Sequence, residues 1–183
     1  NYVIARRQFR PQLTNRRLYG IFVKLKRVGK GGKKFNVFKL RTMHPYSEFL
    51  QAYIYDRYSL QEGGKFNHDI RVTTLGRIAR KYWLDELPML LNLIKGDMKL
   101  VGVRPISQHY FSLYSPELQA KRICHKPGLL PPFYADMPKT LEEIEASEMR
   151  YLTMCEEKGT FKTDIIYFWR IFYTIVFKRA RSH

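Results

Sequence analysis

Between Trp83 and Pro105 the chain reads WLDELPMLLNLIKGDMKLVGVRP, and its prolines and glycines leave it little conformational choice. Pro88 is tolerated in a helix only within the first turn, so an apolar helix over residues 84–94 has to start at Leu84, with Gly96 closing it. The residue before Pro105 is pushed out of helical geometry, which makes MKLVGVRP an extended segment ending in a tight turn at Arg104 and Pro105. Short elements in quick succession fit a mixed helix and strand domain. Two adjacent carboxylates, Asp85 and Glu86, stand at the head of the helix.

The rest of the 183 residues fits one helix-rich α+β domain, a length that can bury a sizeable core. Residues 21–43 read IFVKLKRV-GKGGKK-FNVFKLRTM, two alternating runs around a Gly/Lys turn, and predict a β-hairpin. Residues 44–70 mix aromatics with EGGKFNHD and suggest a helical piece followed by a loop. TLGRIARKY, 74–82, predicts a short basic helix, and Ser115-Pro116-Glu117 opens another with a capping residue and Pro at the first position. KPGLLPPFYADMPK, 126–139, is too rich in proline for regular structure and is expected to be a long loop. Thr140 to Glu143 is a capping box, after which Ile144, Tyr151, Leu152 and Cys155 share one helical face until Gly159. The last segment, TDIIYFWRIFYTIVFKRARSH, predicts a helix capped by Thr163 and apolar nearly all round. It is either a buried core helix or an amphipathic helix at a membrane interface, where Trp, Tyr and a basic end are favoured.

Thirty-three Lys and Arg against 16 Asp and Glu give a net charge of +17, a field that implies a polyanionic partner: nucleic acid, an anionic membrane surface or phosphorylated substrates. Lys24, Lys26, Arg27, Lys30, Lys33 and Lys34 form a hairpin cluster that a nucleic-acid module could use, but no motif for binding RNA or DNA accompanies it, and a solvated face explains it equally. GKGGKK lacks the spacing of a phosphate loop. His44, His68, His109, His125 and His183 show no zinc spacing, and Ser107 and Ser115 belong to turns. Cys124 and Cys155 read as reduced thiols of a cytosol-facing protein. No apolar run reaches the ~20 residues of a membrane-spanning helix. The chain begins at Asn1 rather than Met, so residues 1–20 are expected to be a basic linker or the end of an upstream membrane segment, with the domain proper at 21–183.

Two readings of the carboxylate pair remain. Asp85 could be a plain N-cap with Glu86 solvated beside it. Alternatively the helix start holds Asp85 ionised, one carboxylate coordinates Mg²⁺ together with substrate phosphates, and the other attacks phosphorus as a nucleophile. Arg80 and Arg104 would then neutralise the phosphate oxygens.

LDELPMLLNLIKGDMKLVGVRP closely resembles the signature of the bacterial sugar transferases, the monotopic polyprenyl-phosphate phosphoglycosyl transferases. RVGKGGKKFNVFKLRTM and DIRVTTLGRIAR resemble the family's upstream elements, and HKPGLL with the closing aromatic helix extends the likeness over residues 24–178. The resemblance implies transfer of a phosphosugar from a UDP-sugar to polyprenyl (undecaprenyl) phosphate, with release of UMP and with Mg²⁺. It further implies an anionic membrane surface as partner, no nucleic acid, and the cytoplasmic face of a bacterial inner membrane, in a surface glycan pathway such as exopolysaccharide or lipopolysaccharide biosynthesis. Homo-oligomerisation is left open. By position Asp85 is the nucleophile, Glu86 and Asp85 hold the metal, Arg80 and Arg104 meet phosphates, and Lys39 and Arg41 match the K-x-R-T-M element. An inactive membrane scaffold of the same family is a further alternative. The sequence departs from the family at Met89, at Val103 and over KPGLLPPFYADMP, and it lacks an Asp near Leu152 that the family's late helix often carries.

Overall fold

The computed structural model describes residue 3 and residues 20–50, 53–54 and 69–177. Most of the basic N-terminal stretch, most of the mixed aromatic segment before residue 69, and the basic residues Lys178, Arg179 and Arg181 lie outside the described residues. The fold is α+β and helix-rich, with two small sheets of two strands each among the described residues.

Strands β1 (Phe22–Val28) and β2 (Lys34–Leu40) form the expected antiparallel hairpin, with Phe22 opposite Leu40 and Val28 opposite Lys34. A 3₁₀ turn at Lys30–Gly32 joins them, its Gly31 and Gly32 both left-handed. Helix α1 (Thr74–Lys81) is capped by Thr73, whose hydroxyl accepts from the Gly76 N–H. The segment expected to be one helix over 84–94 divides instead into a 3₁₀ turn, Leu84–Met89, and helix α2, Leu90–Ile94. Pro88 inside the turn has no N–H to offer the i→i−4 pattern, which accounts for the tighter geometry.

Asn92 is fully buried and ties this segment to the hairpin. Its side chain accepts from the Phe38 N–H at 3.2 Å and donates to the Asn36 carbonyl at 2.7 Å, so it satisfies one donor and one acceptor on the outer edge of β2.

The proline-rich stretch expected to be irregular carries regular structure. Strand β3 (Lys99–Val101) pairs in parallel with β4 (Gly128–Leu130). A Cβ at Gly128 would lie 2.1 Å from the Gly102 nitrogen, so two glycines permit this approach where the density of prolines argued against it. Helices α3 (Gln108–Ser112) and α4 (Pro116–Cys124) lie between the two strands in sequence, and α5 (Phe133–Asp136) follows β4. Ser107 caps α3 by accepting from the Tyr110 N–H, whereas the Ser115 side chain makes no cap bond at α4.

Helix α6 (Leu141–Lys158) starts with the predicted capping box of Thr140 and Glu143. Helix α7 (Thr160–Phe177) starts before Thr163, which is buried within it and donates to the carbonyls of Met154 and Gly159 instead of capping. Tyr151, Leu152 and Cys155 of α6 pack with Tyr167 and Ile171 of α7, Leu118 of α4 and Val101 of β3 in the main core. Lys99 clips the sheet to both helices, donating to the Tyr151 hydroxyl at 2.9 Å and the Asp164 carboxylate at 2.8 Å.

Helix α7 is two-faced. Thr163, Tyr167, Ile171 and Thr174 point inward, while Phe161, Ile165, Ile166, Trp169, Phe172, Tyr173, Val176 and Phe177 are exposed. The buried-core alternative for this helix therefore fails. Among the described residues no helix is long and apolar enough to cross a membrane.

Candidate active site

The inner face of the hairpin supplies the first wall. Alternation along β1 and β2 turns Val23, Leu25 and Arg27 to the same side as their cross-strand partners Lys39, Val37 and Phe35. Val37 is buried at 1% exposure and anchors that face. Lys39 extends from it to Glu86, its Nζ 2.6 Å from Oε1.

The second wall is α1, placed by a close contact. A Cβ at Gly76 would stand 2.0 Å from the Thr42 carbonyl oxygen, so only glycine lets the helix lie against the chain leaving β2. Thr73 reinforces the contact by donating its N–H to that same carbonyl at 2.9 Å. One turn further on, Arg80 donates from Nε to the Thr42 hydroxyl at 2.9 Å.

Between α1 and the carboxylates the chain reverses at Trp83, which is left-handed at φ 56° and ψ 16°. That conformation costs a residue with a Cβ roughly 1–2 kcal/mol. The indole is held in compensation, its Nε1 donating to the Tyr134 hydroxyl at 3.0 Å with the rings edge to face. The reversal delivers Asp85 and Glu86 in the first turn of the 3₁₀ segment.

Asp85 is 8% exposed, and three charges act on its carboxyl: Lys39, Glu86 and Arg80. Burial pushes it above the ordinary carboxylate range; Lys39 and Arg80 draw it back down and Glu86 adds to the rise. This is opposite in sign to the expectation from a helix start. The turn is short, so its few aligned dipoles oppose the loss of solvent only weakly.

Glu86, Lys39 and Arg104 line a cleft of about 500 Å³, whose other lining includes Arg27, Tyr110, Phe133 and Tyr134. Asp85 and Arg80 are not among the residues that line it. Arg104 is exposed, its guanidinium 5.9 Å from the centre of the Phe133 ring. Its backbone is braced: the Arg104 carbonyl accepts from Arg122 Nη2 at 2.6 Å, and Arg122 is ion-paired with Glu148, both buried.

Asp85, Glu86, Arg80 and Lys39 are thus brought together, with Arg104 on the same cleft as Glu86 and Lys39. Arg41 is not part of that lining, and its Nε donates to the Gly20 carbonyl at 2.8 Å. Two features of the site were missed by the sequence reading. Arg27 was read there only as part of the hairpin's charge cluster; it occupies the third position of a face whose first two are Val23 and Leu25, and a charge in an apolar register was the available signal. Nothing in the linear sequence marks Arg122 and Glu148 as a pair.

A carboxylate on the cleft with a second one next to it in sequence fits Mg²⁺, which is held by one or two carboxylates and by substrate phosphates instead of a full protein cage. Among the described residues no group of three or more His, Cys, Asp or Glu suited to a metal occurs. Glu86, with Asp85 beside it, is where the ion would be held.

The described residues thus hold a buried carboxyl, Asp85, next to a cleft-lining carboxylate, Glu86, and a cleft lined by the cations Arg27, Lys39 and Arg104. The chain belongs to the bacterial sugar transferase family, which it matches over residues 12–178. It is 39% identical over 109 residues to the uncharacterized sugar transferase EpsL of Bacillus subtilis, covering 60% of this chain and 48% of that protein. It is 43% identical over 106 residues to a UDP-glucose:undecaprenyl-phosphate glucose-1-phosphate transferase of Caulobacter vibrioides, covering 56% of this chain and 36% of that one. An undecaprenyl-phosphate galactose phosphotransferase of Salmonella typhimurium is 39% identical over 108 residues, or 56% of this chain and 22% of its own length. The chain therefore spans about half, or less, of the length of these relatives.

Proposed function

We propose that this chain is the catalytic domain of a phosphoglycosyl transferase, moving a sugar phosphate from a UDP-sugar to undecaprenyl phosphate and releasing UMP. The observation that carries the reading is the buried Asp85 carboxyl beside Glu86, with Arg80 acting on it and Lys39 and Arg104 facing the adjoining cleft. The names of the Caulobacter and Salmonella relatives support the same class of donor and acceptor.

In the first half-reaction an Asp85 carboxylate oxygen attacks the sugar-bearing phosphorus, and the bond from that phosphorus to the bridging oxygen breaks. UMP departs with the electron pair, leaving an acyl phosphate on Asp85. In the second, an oxygen of undecaprenyl phosphate attacks the same phosphorus. The bond to Asp85 breaks, the carboxylate returns, and the diphosphate-linked sugar lipid leaves. No net proton transfer is required. The positive charge of Arg80 and Lys39 offsets the negative charge that accumulates around phosphorus. Bound Mg²⁺ would supply Lewis-acid polarisation of the phosphate oxygens and shield charge on the leaving nucleotide.

The outward apolar face of α7 suits burial at a lipid boundary without crossing it, which matches an acceptor whose tail is dissolved in the bilayer. The domain accordingly works at the cytoplasmic face of a bacterial inner membrane. The test is incubation of the full-length protein with Mg²⁺, undecaprenyl phosphate and a panel of UDP-sugars. UMP release dependent on both substrates is expected, whereas turnover that persists in Asp85→Asn would remove the covalent step.

A further inference from the structure

Trp83 is the joint between Arg80 and the two carboxylates. Its N–H donates to the Arg80 carbonyl at 3.2 Å, and its own carbonyl accepts from the Glu86 N–H at 3.0 Å. The φ and ψ of this one residue therefore set how Asp85 and Glu86 are aimed relative to α1. The flanking side chains do not fix that angle, since Tyr82 is 60% exposed and Leu84 43% exposed. Of the three, Trp83 is the one that packs against the main core.

A residue with a Cβ stays left-handed only where its surroundings over-determine it. Here that task falls to Tyr134, whose hydroxyl accepts from the indole Nε1 at 3.0 Å while the two rings meet edge to face, centroids 5.8 Å apart. Tyr134 is buried and stands on α5, a helix of four residues, too short to hold its place unaided. Asp136, at the end of that helix, fastens it. One carboxylate oxygen accepts from the Ser147 hydroxyl of α6 at 2.7 Å and the other from Arg170 Nη2 of α7 at 2.8 Å, with Arg150 of α6 3.5 Å away. All of α5 lies within KPGLLPPFYADMP, where this chain departs from the family's pattern.

We infer that Tyr134 is a positioning residue for the reaction: through the Trp83 indole it locks the left-handed turn that aims Asp85 and Glu86, and the Asp136 clasp anchors that lock to α6 and α7. This deepens the proposed function and rests on it. With the indole released, Trp83 relaxes toward the backbone regions that residues with a Cβ prefer, and the carboxylates lose their fixed angle to Arg80. A nucleophile displaced by even ~1 Å reacts up to about a hundredfold more slowly. Tyr134 also lines the cleft, so the test has to separate aiming from substrate contact.

The full-length protein in detergent, with Mg²⁺ and a panel of UDP-sugars, is followed by mass spectrometry of covalent labelling and by amide hydrogen exchange at residues 83–86. Tyr134→Phe keeps the ring and removes the hydroxyl that accepts from Trp83. It should lower the labelling rate at saturating donor about tenfold, the factor that one hydrogen bond is worth, and leave the half-saturating donor concentration unchanged. Exchange at Glu86, whose N–H is bonded to the Trp83 carbonyl, should quicken by a similar factor. Asp136→Asn should move both readouts in the same direction. Trp83→Phe should slow labelling too, and the double variant Trp83→Phe with Tyr134→Phe should be no slower than Trp83→Phe alone, because both changes remove the same bond. A Tyr134→Phe protein altered only in its half-saturating concentration would make Tyr134 a substrate contact and overturn the brace. So would a further loss in the double variant, or exchange at Glu86 as slow as in wild type. Quickened exchange at Glu86 in Tyr134→Phe, in a protein that no UDP-sugar labels, would leave the brace standing and sink the proposed reaction.

Discussion

At the scale of single residues, the site sets a buried acid against its own stability. Burial raises the Asp85 carboxyl above its ordinary value near 3.8, and Glu86 adds to the rise. An acid with a raised value in the folded state is stabilising only when protonated, so the folded protein gains on acidification from neutral pH toward that ordinary value, and loses as pH climbs through the raised one. Asp85→Asn should therefore unfold at a higher temperature than wild type at neutral pH, with the difference shrinking as pH falls toward 4, while covalent labelling by the sugar donor disappears. Thermal melts across a pH series check the first outcome and mass spectrometry the second; an Asp85→Asn protein less stable than wild type at pH 7 would contradict the electrostatic account. Glu86→Gln removes both the Lys39 ion pair and a candidate metal ligand, so it should shift the Mg²⁺ dependence of UMP release to higher concentration. An identical titration would exclude Glu86 from holding the ion. The Asp85-Glu86 pair was legible in the sequence because carboxylates in a basic chain stand out. The sign of the Asp85 shift was not, because it depends on what the Lys39 strand and α1 bring over it from other parts of the chain.

The elements divide in the same way. Where a local signal dictates geometry, the sequence could be read directly: the hairpin from its alternation and Gly/Lys turn, α1 from its periodicity, and α6 from its capping box. Where geometry comes from contact between distant segments, it could not. Strand β4 forms in a proline-rich stretch because Gly128 meets Gly102, and the reversal at Trp83 is held by Tyr134. Neither partner is visible from the local window. Gly76 offers the sharpest test at this scale. A methyl group there meets the Thr42 backbone at 2.0 Å, and backbone cannot rotate aside as a side chain does. Gly76→Ala should cost about 1–3 kcal/mol of stability by overpacking. It should also lower turnover in the surviving folded protein, because it lifts Arg80 from the Thr42 hydroxyl. Chemical denaturation and the UMP assay measure the two effects, and a variant as stable as wild type would show that α1 can slide.

For the molecule as a whole, charge and grease are arranged in different places. The hairpin exposes Lys24, Lys26, Lys30, Lys33 and Lys34 to solvent, whereas α7 exposes aromatic and branched side chains. If α7 lies at a lipid boundary, Trp169→Ser together with Phe172→Ser should reduce binding to phosphatidylglycerol vesicles while leaving the core untouched, since both side chains point outward. Vesicle sedimentation reads the change, and undiminished binding would send the search for the contact elsewhere. The apolar character of this helix was evident from its sequence. Which flank faces inward was not, because a helix hydrophobic nearly all round gives no phase to its period. The amide of Asn92 carries a consequence of another kind. By taking up the Phe38 N–H and the Asn36 carbonyl on the outer rim of β2, it removes a donor and an acceptor that the strand would otherwise offer a neighbouring chain. Asn92→Leu would free an N–H and a carbonyl on an open ribbon, and scattering that grows with concentration should reveal copies stacking strand to strand. In that respect a residue of the signature stretch acts as a guard against polymerisation.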